Sequence, residues 1–282
     1  MKAPIDVSVH LIDGTYELFR QFYGRRRFET DHARPLGAVA GVLHSILAMI
    51  EKGATHVGVA TDHIIESFRN GLWPGYKTGA GIEPALWAQF HPLEHALTAM
   101  GVAVWPMIEL EADDALASAA HIAAADKDVA QVSIWTPDKD LAQCVRGDRV
   151  VQVMRRTKTI LDAAAVRTKF GVDPERIPDL LALVGDVADG YPGIAGIGRI
   201  GAARLIAQYG PLEEFPRAVL GKDREAALLF KQLATLRSDA RLFANVEELR
   251  WRGPTDEFPA TVERIGDSNL LARCLRAASQ GS

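Results

Sequence analysis

Apolar runs alternate with helix-periodic segments along the first half of the chain. Val7-Ser8-Val9-His10-Leu11-Ile12 reads as a buried strand that closes on Asp13-Gly14. A helical segment follows from Tyr16 to Phe22, then a basic loop through Arg27, then an apolar helix over Leu36 to Glu51. Thr55-His56-Val57-Gly58-Val59-Ala60 is a second strand, ending in Thr61-Asp62. Pro84 to Met100 has the period of an amphipathic helix, and Val102 to Trp105 is a short strand. Gln131 to Trp135 is another, running into Thr136-Pro137-Asp138-Lys139-Asp140. Alternating strands and helices imply a mostly parallel sheet with helices on both faces. The second half is mostly helical, with helices over Asp162 to Phe170, Pro174 to Val184 and Ile200 to Gln208.

Three of the predicted strands thus lead into an aspartate: Asp13, Asp62 and Asp138. In open α/β sheets ligands bind at the carboxyl ends of the strands, so the three share one edge. A single terminal aspartate is an ordinary turn or cap residue. Here, however, the edge also carries Glu109-Leu110-Glu111-Ala112-Asp113-Asp114, just ahead of the helix-forming run Ala115 to Ala125. A helix start accounts for one or two of these carboxylates through the helix dipole. Four so close repel one another, and divalent cations would offset that repulsion.

The helix over Pro174 to Val184 ends at Gly185-Asp186-Val187-Ala188-Asp189-Gly190. The loop Pro192-Gly193-Ile194-Ala195-Gly196-Ile197-Gly198 then leads into the next helix. Two helices joined by such a loop make a helix-hairpin-helix. Glycines at 193, 196, 198 and 201 let backbone N–H groups approach a phosphate without reading bases.

At 282 residues, 48% hydrophobic with five tryptophans, the chain suits one large or two small folded domains. No apolar run is long enough for a membrane span and Met1 to Asp6 has no signal-peptide pattern. Cys144 and Cys274 form no disulfide framework or metal spacing. A cytoplasmic protein, nucleoid-associated at most, is expected. The net charge of -4 argues against a generic nucleic-acid coat, unless the acids are gathered in one metal site. Arg25-Arg26-Arg27 and Arg155-Arg156 are the local basic clusters, a pattern usual in solvated loops.

The runs Leu11-Ile12-Asp13-Gly14, Phe68-Arg69 with Pro74-Gly75-Tyr76-Lys77, Glu111-Ala112-Asp113-Asp114, Thr136-Pro137-Asp138-Lys139-Asp140-Leu141, and Leu181 to Asp186 through Tyr209-Gly210 occur in this order. Together they resemble the bacterial 5'-3' exonucleases, the 5' nuclease domain of DNA polymerase I and its stand-alone relatives, kin of flap endonucleases. The resemblance covers roughly residues 5 to 215 and is weak beyond Lys222. It implies a PIN-like (resolvase-like) α/β domain over residues 1–160 and a helical helix-three-turn-helix subdomain with a tail over 161–282. With no polymerase motif following, a stand-alone and monomeric enzyme is expected.

The resemblance further implies two Mg²⁺ or Mn²⁺ ions, for which oxygen-only ligands are suited. Asp13, Asp62, Glu111 and Asp113 correspond to ligands of one; Asp138, Asp140 and Asp186 to those of the second, with Asp114 and Asp189 close by. Lys77 and Arg69 correspond to the basic residues that reach the scissile phosphate. Arg20 and Arg204 are candidate phosphate contacts. Phe19 falls where relatives carry an aromatic that can stack on a base, and serves equally as a core residue. A monovalent cation at the helix-hairpin-helix loop is compatible with the resemblance. The implied substrate is DNA with 5' ends or 5' flaps, or the RNA strand of an RNA–DNA hybrid.

Three positions depart from the pattern. Ala80 stands where relatives carry an arginine, and no Lys or Arg lies between Lys77 and Glu94, so the gateway over the single strand is poor in charge. Gly190 replaces the usual asparagine, and Gly201 a common threonine. Two alternatives remain at this level. Asp13-Gly14-Thr15 is similar to the haloacid-dehalogenase phosphatases, whose nucleophilic aspartate would fall at Leu11, which cannot serve. A catalytically weak structure-specific DNA-binding module is the second, although its carboxylates would be costly to keep together without metal.

Overall fold

The computed structural model describes residues 7–25 and 35–280. The termini, Arg26-Arg27 and the rest of the basic loop lie outside the described residues. The first lobe runs β1 (Val7–Asp13), α1 (Gly14–Arg25), α2 (Gly37–Ile50), β2 (His56–Asp62), α3 (Phe68–Leu72), α4 (Pro84–Trp87), α5 (Phe90–Ala99), β3 (Ala103–Met107), α6 (Ala112–Ala125), β4 (Val129–Trp135), β5 (Val150–Met154) and β6 (Thr159–Leu161). Then follow α7 (Ala163–Phe170), α8 (Ile177–Val184), α9 (Arg199–Tyr209), α10 (Arg217–Leu220), α11 (Arg224–Ala234), α12 (Phe258–Ile265) and α13 (Ser268–Gln280).

The sheet order is β3-β2-β1-β4-β5-β6. All pairs are parallel except β5 with β6. Chain order therefore reverses between β1 and β4, which makes the crevice at their carboxyl ends the switch point where ligands of such sheets bind. Strand alternation splits the core. Val9 and Leu11 face the small-residue side of α6 (Ala115, Ala119, Ala123), while Ile12, Val57 and Val59 face α2 and α5. Gly14 lets α1 start directly after β1, because a Cβ there would lie 2.7 Å from a Val59 methyl and 2.8 Å from the Ala60 carbonyl oxygen. Pro106 falls on β3, an edge strand, where a missing N–H leaves no internal ladder bond unmade.

The helical lobe, α7 to α11, packs around Phe170, Ile177, Leu180, Ala202, Ile206 and Phe230. Its core also takes in Tyr76 from the first lobe. Near the division expected at residues 160 and 161, Leu161 ends β6 and packs into the core of the helical lobe. Phe258, Val262, Leu270 and Cys274 of α12 and α13, within the expected tail, pack on the α2/α5 side of the sheet.

The single helix expected over Pro84 to Met100 is two. Pro92 has no N–H for the carbonyl four residues back, so a new helix begins with it in the first turn. Gln89 in the break turns inward, its Oε1 accepting from the backbone N–H groups of Ala38 (3.1 Å) and Val39 (3.3 Å) at the start of α2. The segment expected as a helix from Pro174 begins instead as a 3₁₀ turn, Pro174–Arg176, before α8.

Candidate metal centre

Asp13 ends β1 and is fixed by two hydrogen bonds. Its Oδ1 accepts from the Tyr16 N–H (2.8 Å), as a helix-capping oxygen does, and its Oδ2 from the Thr136 hydroxyl (2.8 Å) beyond β4. Burial raises its carboxyl to about 7, and the Asp62 and Asp138 charges push the same way. Asp62 ends β2; its Oδ1 accepts from the Ala112 N–H (2.8 Å) at the start of α6, and burial raises its carboxyl also. Asp113, one residue into α6, is raised well above the carboxylate range by burial, then by Asp138 and Asp13. Glu111 behaves oppositely. Burial pushes its carboxyl up, but Lys77 and Arg69 outweigh that and hold it low. Its Oε1 accepts from the Ser67 hydroxyl (2.7 Å), and its Oε2 lies 2.7 Å from Lys77 Nζ and 3.3 Å from the Tyr76 hydroxyl.

A second acidic group adjoins the first. Ligand atoms of Asp140, Asp186 and Asp189 lie within 4.8 Å of one another. All three residues are buried. Asp140 Oδ1 has no hydrogen-bond partner among the described residues. Burial, Asp138 and Asp189 raise the Asp140 carboxyl well above its ordinary range. Asp138 is the exposed member, at the rim, where its Oδ1 accepts from the Asp140 N–H (2.9 Å). It repels Asp13, Asp113, Asp140 and Asp189, which places it between the two groups. Lys77 bridges them as well, 2.7 Å from Glu111 and 3.1 Å from Asp189 Oδ1.

Two expected members are elsewhere. Arg69 is 1% exposed. Its guanidinium makes a bidentate pair with Asp114 (2.7 Å on each arm) and reaches Glu111 Oε1 (2.9 Å). It also donates to the carbonyls of Leu233 (2.8 Å) and Thr235 (3.1 Å). With its donors committed and buried, Arg69 has none left for a phosphate. Asp114 is fully buried, and its oxygens also take the N–H groups of Glu111 (3.0 Å) and Arg237 (2.8 Å), so it is turned away from the basin.

Arg20 is committed locally to Glu17 (2.6 Å). Phe19 packs on the core beside Phe90, ring centroids 6.0 Å apart, which favours its core role. Arg155 also pairs with Glu17 (3.2 Å), its guanidinium 4.8 Å over the Trp135 ring, so it too is structural, while Arg156 is exposed.

Sequence reasoning missed Lys139, which pairs with Asp186, and Gln152, fully buried in β5, whose Nε2 donates to the Thr136 carbonyl (3.1 Å) and to that of Asp138. A glutamine inside the apolar run Val150 to Met154 was the available signal for the second.

In the glycine loop, Gly193 has φ +69°, and a Cβ on it would lie 2.3 Å from Gly185 N, so it closes the hairpin. Gly196, Gly198 and Gly201 have nothing within 4 Å of an added Cβ; they form an open face at the start of α9, with Arg199 and Arg204 exposed beside it. Gly190, at φ +82°, lies where a Cβ would be 2.0 Å from the Gly75 carbonyl oxygen. Trp73 Nε1 donates to the Gly190 carbonyl (3.0 Å), so this turn and the Lys77 segment touch. On the gateway segment Trp87 is exposed and stacks on Phe90, and His63 stacks on His91 with centroids 4.2 Å apart.

The donor set therefore suits a hard divalent cation: oxygen ligands only, held close at cost, with one buried carboxylate oxygen unpartnered. No described helix is long and apolar enough to cross a membrane.

Residues 8–171 match the family model for the 5'-3' exonuclease N-terminal resolvase-like domain, and 172–257 that for the 5'-3' exonuclease C-terminal SAM fold. The chain is 34% identical to DNA polymerase I of Pseudomonas aeruginosa over 96% of its length but 32% of the polymerase. It thus spans about a third of such polymerase relatives. It is 29% identical to the 5'-3' exonuclease of Aquifex aeolicus, covering 98% of this chain and 99% of that one. In fold it is similar to the bacteriophage T5 D15 flap endonuclease in a pseudo-enzyme-product complex with DNA and metal ions. That likeness has a TM-score of 0.64 at 17% identity, over 97% of this chain and 100% of that one.

Proposed function

The chain belongs to the 5'-3' exonuclease family, and from that premise we propose that it is a divalent-metal-dependent phosphodiesterase that cuts nucleic acid near a 5' end or at a 5'-flap junction. The observation that carries this reading is the acidic basin at the switch point of the sheet, in which seven carboxylates gather, five of them held by backbone or side-chain donors and the Asp113 and Asp140 carboxyls raised well above their ordinary range by burial among the others. Those seven are Asp13, Asp62, Glu111, Asp113, Asp140, Asp186 and Asp189, with Asp138 at the rim. Asp13, Asp62, Glu111 and Asp113 would hold one ion and Asp140, Asp186 and Asp189 the other, with Asp138 positioned to serve either. Two Mg²⁺ or Mn²⁺ ions there would supply an activated water and neutralise charge on the scissile phosphate and its leaving oxygen.

The remaining work belongs to the chain's own side chains. Lys77, between the two acidic groups, carries an ammonium placed to hold a phosphate oxygen over both. Burial disfavours its charge, but Glu111 and Asp189 hold it protonated well beyond neutral pH. Lys139 supplies a second ammonium at the Asp186 side. The open face of Gly196, Gly198 and Gly201, with Arg204 beside it, would take the backbone of a duplex through N–H groups and one guanidinium. Carbonyl oxygens of the same loop would accept a monovalent cation.

DNA with 5' ends or flaps is the proposed substrate. Backbone contacts discriminate little between strands, so the RNA strand of a hybrid falls within the reading. We place the catalytic lobe at β1 to β6 with α12 and α13, and the nucleic-acid lobe at α7 to α11, in a monomer working in the cytoplasm. Replacing Asp113 with Ala tests the assignment. Cleavage should vanish while DNA binding persists; full activity in that variant sinks the metal assignment.

A further inference from the structure

Four buried side-chain atoms lack a hydrogen-bond partner among the described residues: Asp140 Oδ1, Gln152 Oε1, Asp179 Oδ2 and the Tyr191 hydroxyl. Asp179 is explained by its ion pair with Lys231, 2.7 Å from its other oxygen, at the far end of α8. The other three gather around the second acidic group. Gln152 donates to the carbonyls of Thr136 and Asp138, at the strand end that leads to Asp140. Tyr191 is joined to Asp186 by a two-way backbone bridge, the Asp186 N–H donating to the Tyr191 carbonyl (2.9 Å) and the Tyr191 N–H to the Asp186 carbonyl (3.1 Å).

The Tyr191 ring is 1% exposed and stacked on Phe230 of α11, centroids 5.6 Å apart, so its hydroxyl cannot swing out to water. Burial raises that hydroxyl above the ordinary phenol range, and the Asp140 charge, then Asp186 and Asp189, raise it further. The Tyr191 backbone is thus tied to Asp186, whose carboxylate lies with those of Asp140 and Asp189, ligand atoms within 4.8 Å of one another. A phenol is one donor on a rigid ring. Here it has no acceptor, and the carboxylate that perturbs it most has an oxygen with no donor.

We propose that Tyr191 is a positioning residue for the second metal group: its O–H donates to Asp140 through one buried water and fixes the orientation in which that carboxylate joins Asp186 and Asp189 around a divalent cation. Ligating carboxylates are commonly held by such outer hydrogen bonds. The donation needs only the neutral phenol, so it is present at every pH at which the carboxylates bind metal. The role rests on the metal reading of the basin given above.

The test uses the full chain free of nucleic acid, titrated with Mn²⁺ and followed by the electron paramagnetic resonance of the unbound ion. Tyr191→Phe keeps the ring and its stacking and removes only the oxygen. It should weaken Mn²⁺ binding at one class of site by roughly tenfold, the lower end for lost outer-sphere partners. The melting temperature of the metal-free chain should not fall, since the lost hydroxyl has no other partner there. In cleavage assays the Mg²⁺ concentration for half-maximal rate should rise by the same factor with KM for DNA unchanged. Unaltered Mn²⁺ affinity in the Phe variant overturns the role of Tyr191 and leaves the metal reading standing. A wild-type chain that takes up no Mn²⁺ overturns both. A Phe variant that melts lower in the absence of metal assigns the hydroxyl to the fold and also overturns the proposal.

Discussion

The four carboxylates of residues 109–114 part company in the folded chain. Glu109 is exposed, Asp114 secures the start of α6 and binds Arg69, and only Glu111 and Asp113 enter the basin. Helix-start chemistry falls to Asp114, and the carboxylate one position earlier, Asp113, is left for the proposed metal site. Sequence spacing could not separate them, because the choice depends on where Arg69, forty-five residues earlier than Asp114, delivers its guanidinium. The strand-terminal aspartates were legible because each follows an apolar run, whereas Lys77 was picked out by the family resemblance of Pro74-Gly75-Tyr76-Lys77. Tyr191 and Gln152 were not, since an aromatic in a loop and a glutamine in a strand usually answer to packing alone. Asp13 gives a direct prediction at this scale. Its carboxyl, ordinarily near 3.8, is raised to about 7 in the folded state, so the folded state binds that proton more tightly than the unfolded one. Stability without metal should therefore fall as pH rises from about 4 to about 7. Melting curves in a chelator should show this fall, Asp13→Asn should flatten it, and Mg²⁺ should oppose it.

At the scale of elements, α6 is held at its first turn from two directions, by Asp62 accepting from the Ala112 N–H and by Asp114 clamped to Arg69. Because Arg69 also holds the Leu233 and Thr235 carbonyls at the end of α11, it ties the helical lobe to the metal edge. Removing one partner of a buried pair leaves an uncompensated charge. Arg69→Ala should thus lower unfolding free energy by about 3–5 kcal/mol, measurable by urea denaturation; a change below about 1 kcal/mol contradicts the clamp, being within what exposed pairs give. The glycine loop separates two roles in the same way. Gly193→Ala meets positive φ and the Gly185 backbone and should cost at least about 1–3 kcal/mol. Gly201→Leu enters open space in a helix and should leave the melting temperature unchanged or higher. It should instead weaken DNA binding and flatten its salt dependence, and an unchanged salt slope there counts against the phosphate-binding face. The core strands and the hairpin were visible as apolar runs and glycine spacing. The split at Gln89 was masked by the unbroken amphipathic period of Pro84 to Met100, although Pro92 inside that run marks a helix start, and the inward turn of Gln89 onto α2 is a long-range contact no local pattern shows; β6 is too short to show a period.

For the whole molecule, the strand order matters more than any one motif. Crossing from β3 back to β4 beside β1 brings the ends of β1, β2 and β4 side by side, and the helical lobe adds Asp186 and Asp189 from across the crevice. The return of α12 and α13 onto α2 and α5 closes the first lobe with segments the sequence pattern left unassigned. Between Lys77 and Glu94 the chain carries no Lys or Arg, and Trp87 there is exposed and stacked on Phe90; under the proposed function, grip on a substrate would fall mainly to the glycine loop and the basin. The proposed hydrolysis of phosphodiester bonds by this basin with divalent metal is tested most directly by cleavage. The purified chain should be incubated with a 5'-labelled flap DNA, with and without Mg²⁺ or Mn²⁺, beside Asp138→Ala. Cleavage near the 5' end or the flap junction is expected only with metal, and is expected to be abolished in the variant. Binding without cleavage under either metal, or cleavage indifferent to both metal and Asp138, would contradict the proposal.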